Sequence, residues 1–175
     1  QYGLPFVRAR FQNVYGPREI LGAGQWRGTP ATVWRNVVPT FIWRALKDEP
    51  LILENEGKSS RDFIYVDDVC RGLIACAQKG SAGQAYNIAS GTETSILELA
   101  QQVISLSGSG SDLVLGPRRP WDRSIRRFGS TAKAQTELQF ETEVDLEDGL
   151  KATIEWTRNS LEVIQANIDQ HRRLL

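Results

Sequence analysis

Apolar and polar positions alternate along Arg61-Asp62-Phe63-Ile64-Tyr65-Val66, which puts Arg61, Phe63 and Tyr65 on one face of a strand and Asp62, Ile64 and Val66 on the other. The run ends in Asp67-Asp68, an acidic pair placed to cap and charge the start of a helix over about residues 68–78. That helix is expected to bury Val69, Leu73, Cys76 and Ala77. Strand-to-helix corners are where α/β proteins present polar groups to a ligand. Pro5 to Phe11 reads as a further strand running into a turn at Gly16-Pro17, and Leu51-Ile52-Leu53 as a short one after Glu49-Pro50. Ala85 to Ala89 is the next, closed by Ser90-Gly91, and Asp112 to Leu115 is an edge strand.

Helical spacing links Val37, Val38, Phe41, Ile42 and Ala45 within residues 36–47, with Pro39 in the first turn, where its missing N–H costs little. Ser95 to Glu98 is a capping box that opens a helix through about Leu106. Ser107 to Ser111 alternates Ser and Gly and reads as a flexible loop. Ser130 is placed to cap a short helix ending at Leu138. Leu146, Leu150, Ile154, Thr157, Leu161, Ile164 and Ile168 predict one long amphipathic helix. Residues 18–34 read as a loop, broken by Gly22, Gly24, Gly28 and Pro30 and pinned by Trp26 and Trp34. No internal repeat is present.

A chain of 175 residues is one domain by length, and 41% hydrophobic with 24% charged residues is an ordinary globular composition. Lys plus Arg equals Asp plus Glu, 21 against 21, so no global field draws the protein to nucleic acid or to an anionic membrane. No apolar run approaches the roughly 20 residues of a bilayer span. Gln1 to Pro5 carries no signal-like segment, and the expected location is cytoplasmic. Cys70 and Cys76 point to different sides of one helix, which suits two small core residues rather than a disulfide or a metal pair. The single histidine, His171, excludes a His-based triad and a multi-histidine metal site within these residues.

Three stretches together resemble the C-terminal part of the NAD-dependent epimerase/dehydratase family, the extended short-chain dehydrogenases that modify nucleotide-sugars. They are Arg10-Phe11-Gln12-Asn13-Val14-Tyr15-Gly16-Pro17, Arg61 to Val69, and Tyr86-Asn87-Ile88-Ala89-Ser90-Gly91. The resemblance implies an α/β fold: residues 1–17 are the last strand and turn of a Rossmann sheet, and 18–175 a nucleotide-sugar-binding lobe without the main dinucleotide-binding part. It places Asn13 against the sugar-nucleotide, Phe11 beside the nicotinamide, and Asn36 and Val37 at the base. Arg61 binds the diphosphate with Phe63 beside it, Arg119 and Asp122 complete the nucleotide site, and Asn87 is a further phosphate contact. Guanidinium forks suit pyrophosphate because they bind its oxygens bidentately and keep their charge. The alternative for Arg61 is an ion pair with Asp62 or Asp67.

Two departures from the family pattern matter. Where relatives carry an aromatic and a glycine after the Pro-Leu strand, this chain has Glu54 and Asn55, and a carboxylate there can accept from a base amino group. The Gly-rich cofactor loop and the Tyr-x-x-x-Lys pair do not occur in these 175 residues. Intact relatives use NAD(P); this chain alone is expected to bind none and to be inactive as a truncated homologue. Its expected ligand is a UDP-, dTDP-, GDP- or CDP-sugar. The alternatives are a non-catalytic binding module and a half-site completed by a partner chain. Apolar residues around Phe11, Tyr15 and Ile64 are expected to meet water and drive homo-oligomerisation, most simply as a dimer. Nucleic-acid binding ranks last.

Overall fold

The computed structural model describes residues 3–19, 24–26, 29–31, 36–118 and 124–171. In chain order the elements are β1 (Arg8–Phe11), β2 (Asn13–Tyr15), β3 (Gly24–Trp26), β4 (Thr29–Ala31), α1 (Val37–Ala45) and β5 (Leu51–Glu54). A 3-10 turn at Asn55–Gly57 leads to β6 (Ser60–Arg61), β7 (Phe63–Tyr65) and α2 (Val66–Lys79). There follow β8 (Ala85–Ile88), β9 (Thr94–Ser95), α3 (Ile96–Ser107), β10 (Leu113–Gly116) and β11 (Arg126–Arg127). A π turn at Ala134–Leu138, α4 (Leu146–Asn159) and α5 (Leu161–His171) close the described chain.

Strand pairing is mostly parallel, as the α/β reading expects. β1 lies beside β8 with Arg8 opposite Ala85, β2 beside β7 with Asn13 opposite Phe63, and β10 beside β5 with Leu113 opposite Leu51. β11 runs parallel to β6, whose other side takes β9 antiparallel. The alternation in β7 holds and divides two cores. Phe63 and Tyr65 join Tyr15, Phe41, Leu99, Leu150 and Ile154 on one side, while Ile64 joins Val69, Tyr86, Ile88, Leu138 and Phe140 on the other. β7 is thus a shared wall, buried on both faces as parallel strands usually are.

Several elements differ from the sequence reading. The strand expected from Arg61 onward is interrupted at Asp62. The acidic pair does not cap α2: Tyr65 holds the cap position without a side-chain bond, and Asp68 is fully buried. Its carboxylate accepts the backbone N–H groups of Glu143 and Val144 at 3.1 and 3.2 Å and pairs with Arg71, so it anchors a distant segment. α2 buries Val69, Gly72 and Cys76, whereas Leu73 and Ala77 are exposed. Gly72 sets that rotation, because a Cβ there would stand 2.5 Å from Ile88 Cγ2. A glycine adds nothing to a hydrophobic period, so the expected face was centred wrongly. Cys70 is exposed rather than a core residue.

Residues 18–34, read as loop, contain a hairpin in which β3 and β4 pair antiparallel, Gly24 opposite Ala31. Trp34 lies outside the described residues. The Ser-Gly stretch after α3 is tied down: Gly108 takes the left-handed conformation at φ 68°, and Asp48 accepts from Ser109 Oγ at 3.0 Å and from the Gly110 N–H at 2.9 Å. The long C-terminal helix is two helices, interrupted at Ser160. Tyr15 and Ile64 are 2% and 1% exposed and do not meet water. Phe11 does, together with Leu4, Phe6, Leu73 and Ile74. Among the described residues, no helix is long and apolar enough to cross a membrane.

α4 meets the β2–β7 pair at Gly149. A Cβ at this position would overlap the Tyr15 hydroxyl and lie 2.9 Å from its Cζ and 3.0 Å from Tyr65 Cδ2. Overpacking of this kind costs about 1–3 kcal/mol. The better helix propensity of alanine returns at most about 1 kcal/mol. Gly149→Ala should therefore lower stability by up to about 2 kcal/mol, measured as a reduced urea midpoint with an unchanged slope.

Candidate functional site

A cavity of about 550 Å3 opens between the first turns of α1, the β2 and β7 pair, the turn after β5, and the β6–β11 pair. Of the residues the sequence points to, Asn13, Asn36, Val37, Glu54, Arg61 and Phe63 line it. Phe11 and Asn87 do not. Phe11 is 47% exposed on β1, and Asn87 donates its side-chain amide to the Ser130 carbonyl at 2.9 Å. Arg119 and Asp122 lie outside the described residues. Three further arginines line the cavity: Arg118 and Arg127, from the arginine-rich stretch over residues 118–127, and Arg44, which the sequence reading missed. Helical spacing held the signal for Arg44, which follows Asn36 and Thr40 by successive steps of four on α1.

Asp62 organises this corner. Its side chain is fully buried and accepts three hydrogen bonds: from Ser90 N–H at 2.9 Å, Ser90 Oγ at 2.8 Å and Gly91 N–H at 2.9 Å. Burial pushes its carboxyl up from the usual range, and the donors at Ser90 and Gly91 pull it back. Its carbonyl meanwhile accepts both the backbone N–H of Asn13, at 3.0 Å, and the Asn13 side-chain amide, at 2.9 Å. Asp62 therefore turns to the Ser90 corner, while its neighbours Arg61 and Phe63 turn to the cavity. Arg61 is 8% exposed and donates Nη1 to the carbonyls of Ser60 and Ile125 at 2.7 and 3.3 Å. Those carbonyls fix the guanidinium plane.

The opposite end of the cavity is a strained turn. Asn55, Glu56 and Gly57 have φ of 52°, 55° and 71°, three left-handed residues in succession. Asparagine tolerates that conformation, and Gly57 is required by contact as well, since a Cβ there would lie 3.0 Å from Leu97 Cβ. Glu54 and Asn55 face the cavity from this turn, and Asn36 faces it from α1, its amide held by Glu19. Arg44 reaches the Pro50 carbonyl at 3.0 Å. With four arginines against Glu54, the lining suits a polyanion, and the amides and carboxylate suit a hydrogen-bonding ring system beside it. Among the described residues, no group of His, Cys, Asp and Glu is arranged to hold a metal ion.

The pattern of the NAD dependent epimerase/dehydratase family matches residues 1–89, and the chain belongs to that family. The Bordetella bronchiseptica enzyme WbmF, solved with NAD+ and UDP, is 59% identical with a TM-score of 0.88, over 100% of this chain and 52% of its own. UDP-glucose 4-epimerase of Thermotoga maritima, solved with UDP-glucose, is 32% identical with a TM-score of 0.81, over 92% of this chain and 48% of its own. A dTDP-glucose 4,6-dehydratase of Streptomyces niveus is 32% identical over 91% of this chain and 44% of its own length. This chain thus spans about half the length of these relatives.

Beside the cavity, Glu93 accepts a bidentate pair of bonds from Arg126, at 2.7 Å from Nε and 2.6 Å from Nη2, and a further bond from Ser60 Oγ. Chiefly through Arg126, its carboxyl is held down to about 2. Because this lies below the value of an unfolded glutamate, the pair's contribution to stability is present at neutral pH. It is lost as pH falls from the usual glutamate range toward about 2. An NMR titration of the Glu93 carboxyl should show a midpoint near that low value, and Arg126→Gln should move it up toward the usual glutamate range, with the Ser60 bond still holding it down in part.

Proposed function

We propose that this chain is the nucleotide-sugar-binding half of a nucleotide-sugar epimerase or dehydratase and that its cavity holds the pyrophosphate of a UDP- or dTDP-sugar. In this reading, residues 1–17 continue a dinucleotide-binding sheet and 18–175 form the substrate lobe. One observation carries it: the almost fully buried Arg61 guanidinium, fixed by two carbonyls, at the wall of a large cavity lined by three further arginines. A pyrophosphate is the ligand group whose charge and oxygen geometry match such a lining. Asn13 keeps a second amide hydrogen for the ligand after donating to Asp62. Asn36, Val37 and Glu54 sit at the α1 end, where the base would lie, and Arg119 and Asp122 are assigned to the same nucleotide by the family pattern.

The chemistry needs a nicotinamide against the sugar and a base at the hydroxyl to be oxidised. The residues here do not fit that role. The 175 residues hold no Gly-rich fingerprint and no Tyr-x-x-x-Lys, and Phe11 offers at most one apolar face to a nicotinamide. Hydride transfer is therefore assigned to residues outside this sequence. NAD added with UDP-glucose to the pure chain should give no reduced-nicotinamide absorbance; turnover would overturn that assignment.

A second reading follows from Phe6 before β1, Phe11 at the end of β1 and Ile74 on α2, all exposed. Apolar exposure of this kind supports a partner, either a chain carrying the dinucleotide-binding half or a second copy. Sedimentation of the pure chain separates the two, since self-pairing requires dimers at high concentration and completion by another chain does not.

Titration calorimetry with UDP-, dTDP-, GDP- and CDP-glucose tests the main reading. Heat with the UDP or dTDP compound is expected, and no heat with any overturns it. Charged hydrogen bonds contribute about 1.5–3 kcal/mol, so Arg61→Ala should weaken binding by about tenfold to a hundredfold.

A further inference from the structure

Asn36 stands at the N-cap of α1, where an asparagine normally turns its side-chain oxygen to the N–H of the second or third helical residue. Here it makes no such bond, and the third helical residue is Pro39, which has no N–H to give. Thr40 Oγ1 donates to the Asn36 backbone carbonyl at 2.8 Å, so the first turn closes without the side chain. That side chain donates its amide nitrogen to the Glu19 carboxylate instead.

An asparagine amide has a donor end and an acceptor end of nearly the same shape, and a half-turn about its last bond exchanges them. A carboxylate only accepts, so Glu19 tolerates one of the two orientations. Asn36 lines the cavity, and with Nδ2 on Glu19 its Oδ1 is turned away and left to a ligand. Among the described residues no hydrogen bond is made to that oxygen. Pyrimidine bases differ at the matching point: uracil and thymine carry N3–H, and cytosine carries a lone pair on N3. An amide oxygen accepts from the first and repels the second. We propose that Glu19 is a specificity-determining positioning residue, which fixes the Asn36 amide with its oxygen toward the ligand so that the cavity selects uracil or thymine over cytosine. The proposal rests on the cavity being a nucleotide site with the base at its α1 end. Glu54, also in the lining, would draw the amino group of cytosine, so the two carboxylates predict opposite preferences.

The test measures the affinity of UDP and of CDP for the protein and for Glu19→Gln and Asn36→Ala by titration calorimetry, with thermal unfolding as a check on folding. Burial pushes the Glu19 carboxyl up and the Asn36 bond pulls it back, so the measurements are made above neutral pH to keep it ionised. Glutamine has the shape of glutamate but both accepts and donates, and it holds the Asn36 amide in either orientation. The unaltered protein is expected to favour UDP by about tenfold or more, as a site built for an N–H rejects an analogue without it. Both substitutions are expected to bring the two affinities together. A UDP preference that survives either substitution overturns the proposal. So does an equal loss of both nucleotides in Glu19→Gln, the result of a clasp that only holds the chain. Equal affinities in the unaltered protein, or a preference for CDP, overturn it while leaving the nucleotide site standing. Binding of neither nucleotide would remove that site as well.

Discussion

The structure turns on the buried carboxylate of Asp62. Placed between two residues that face the cavity, it faces the other way and binds the Ser90-Gly91 corner through three hydrogen bonds. Leaving those donors unmet in the interior would cost about 1–3 kcal/mol each. The chain therefore has one low-energy way to pass this point. It leaves β6 with Arg61 on the cavity side, breaks the ladder at Asp62, and enters β7 with Phe63 on the cavity side again. The carbonyl of the same residue collects the backbone and side chain of Asn13, so β2 enters in register with β7. One acidic residue thus fixes the directions of an arginine, a phenylalanine and an asparagine.

From that point the two cores follow. β7 has hydrophobic side chains on both faces, and each face recruits its own helices: α1, α3 and α4 on one side, α2 and the π turn on the other. The cavity forms where the first of these cores ends and polar side chains take over, at the first turns of α1 and the turn after β5. Its cationic lining comes from elements far apart in sequence: α1, β6, the segment after β10, and β11. α1 packs directly on that core, and β11 is held through its pairing with β6.

Much of this was legible in the sequence. The alternation through Phe63-Ile64-Tyr65 gave the central strand, Ser95 and Glu98 formed the expected capping box, and the spacing from Val37 to Ala45 gave α1. The family pattern pointed to Arg61, Phe63, Asn13, Asn36 and Val37, and all five line one cavity with Glu54, a departure from that pattern, whereas Phe11 and Asn87 do not. What the sequence did not yield were features set by tertiary contact. The face of α2 depends on Gly72 fitting against Ile88, and absence of a side chain leaves no mark on a periodicity. Asp68 looked like a cap because it follows a strand, yet its partners lie at Glu143 and Val144, beyond any local pattern. The helix break at Ser160 has no proline or glycine to announce it.

The left-handed turn after β5 has a wider effect than its length suggests. Gly57 rests on Leu97 in the opening turn of α3, Ile96 beside it lines the cavity, and the Ile96 N–H donates to the Ser59 carbonyl at 2.8 Å. Floor and helix start are thus one mechanical piece. A change at Ser95 or Glu98, outwardly a matter of helix stability alone, would tilt Ile96 and with it one wall of the cavity.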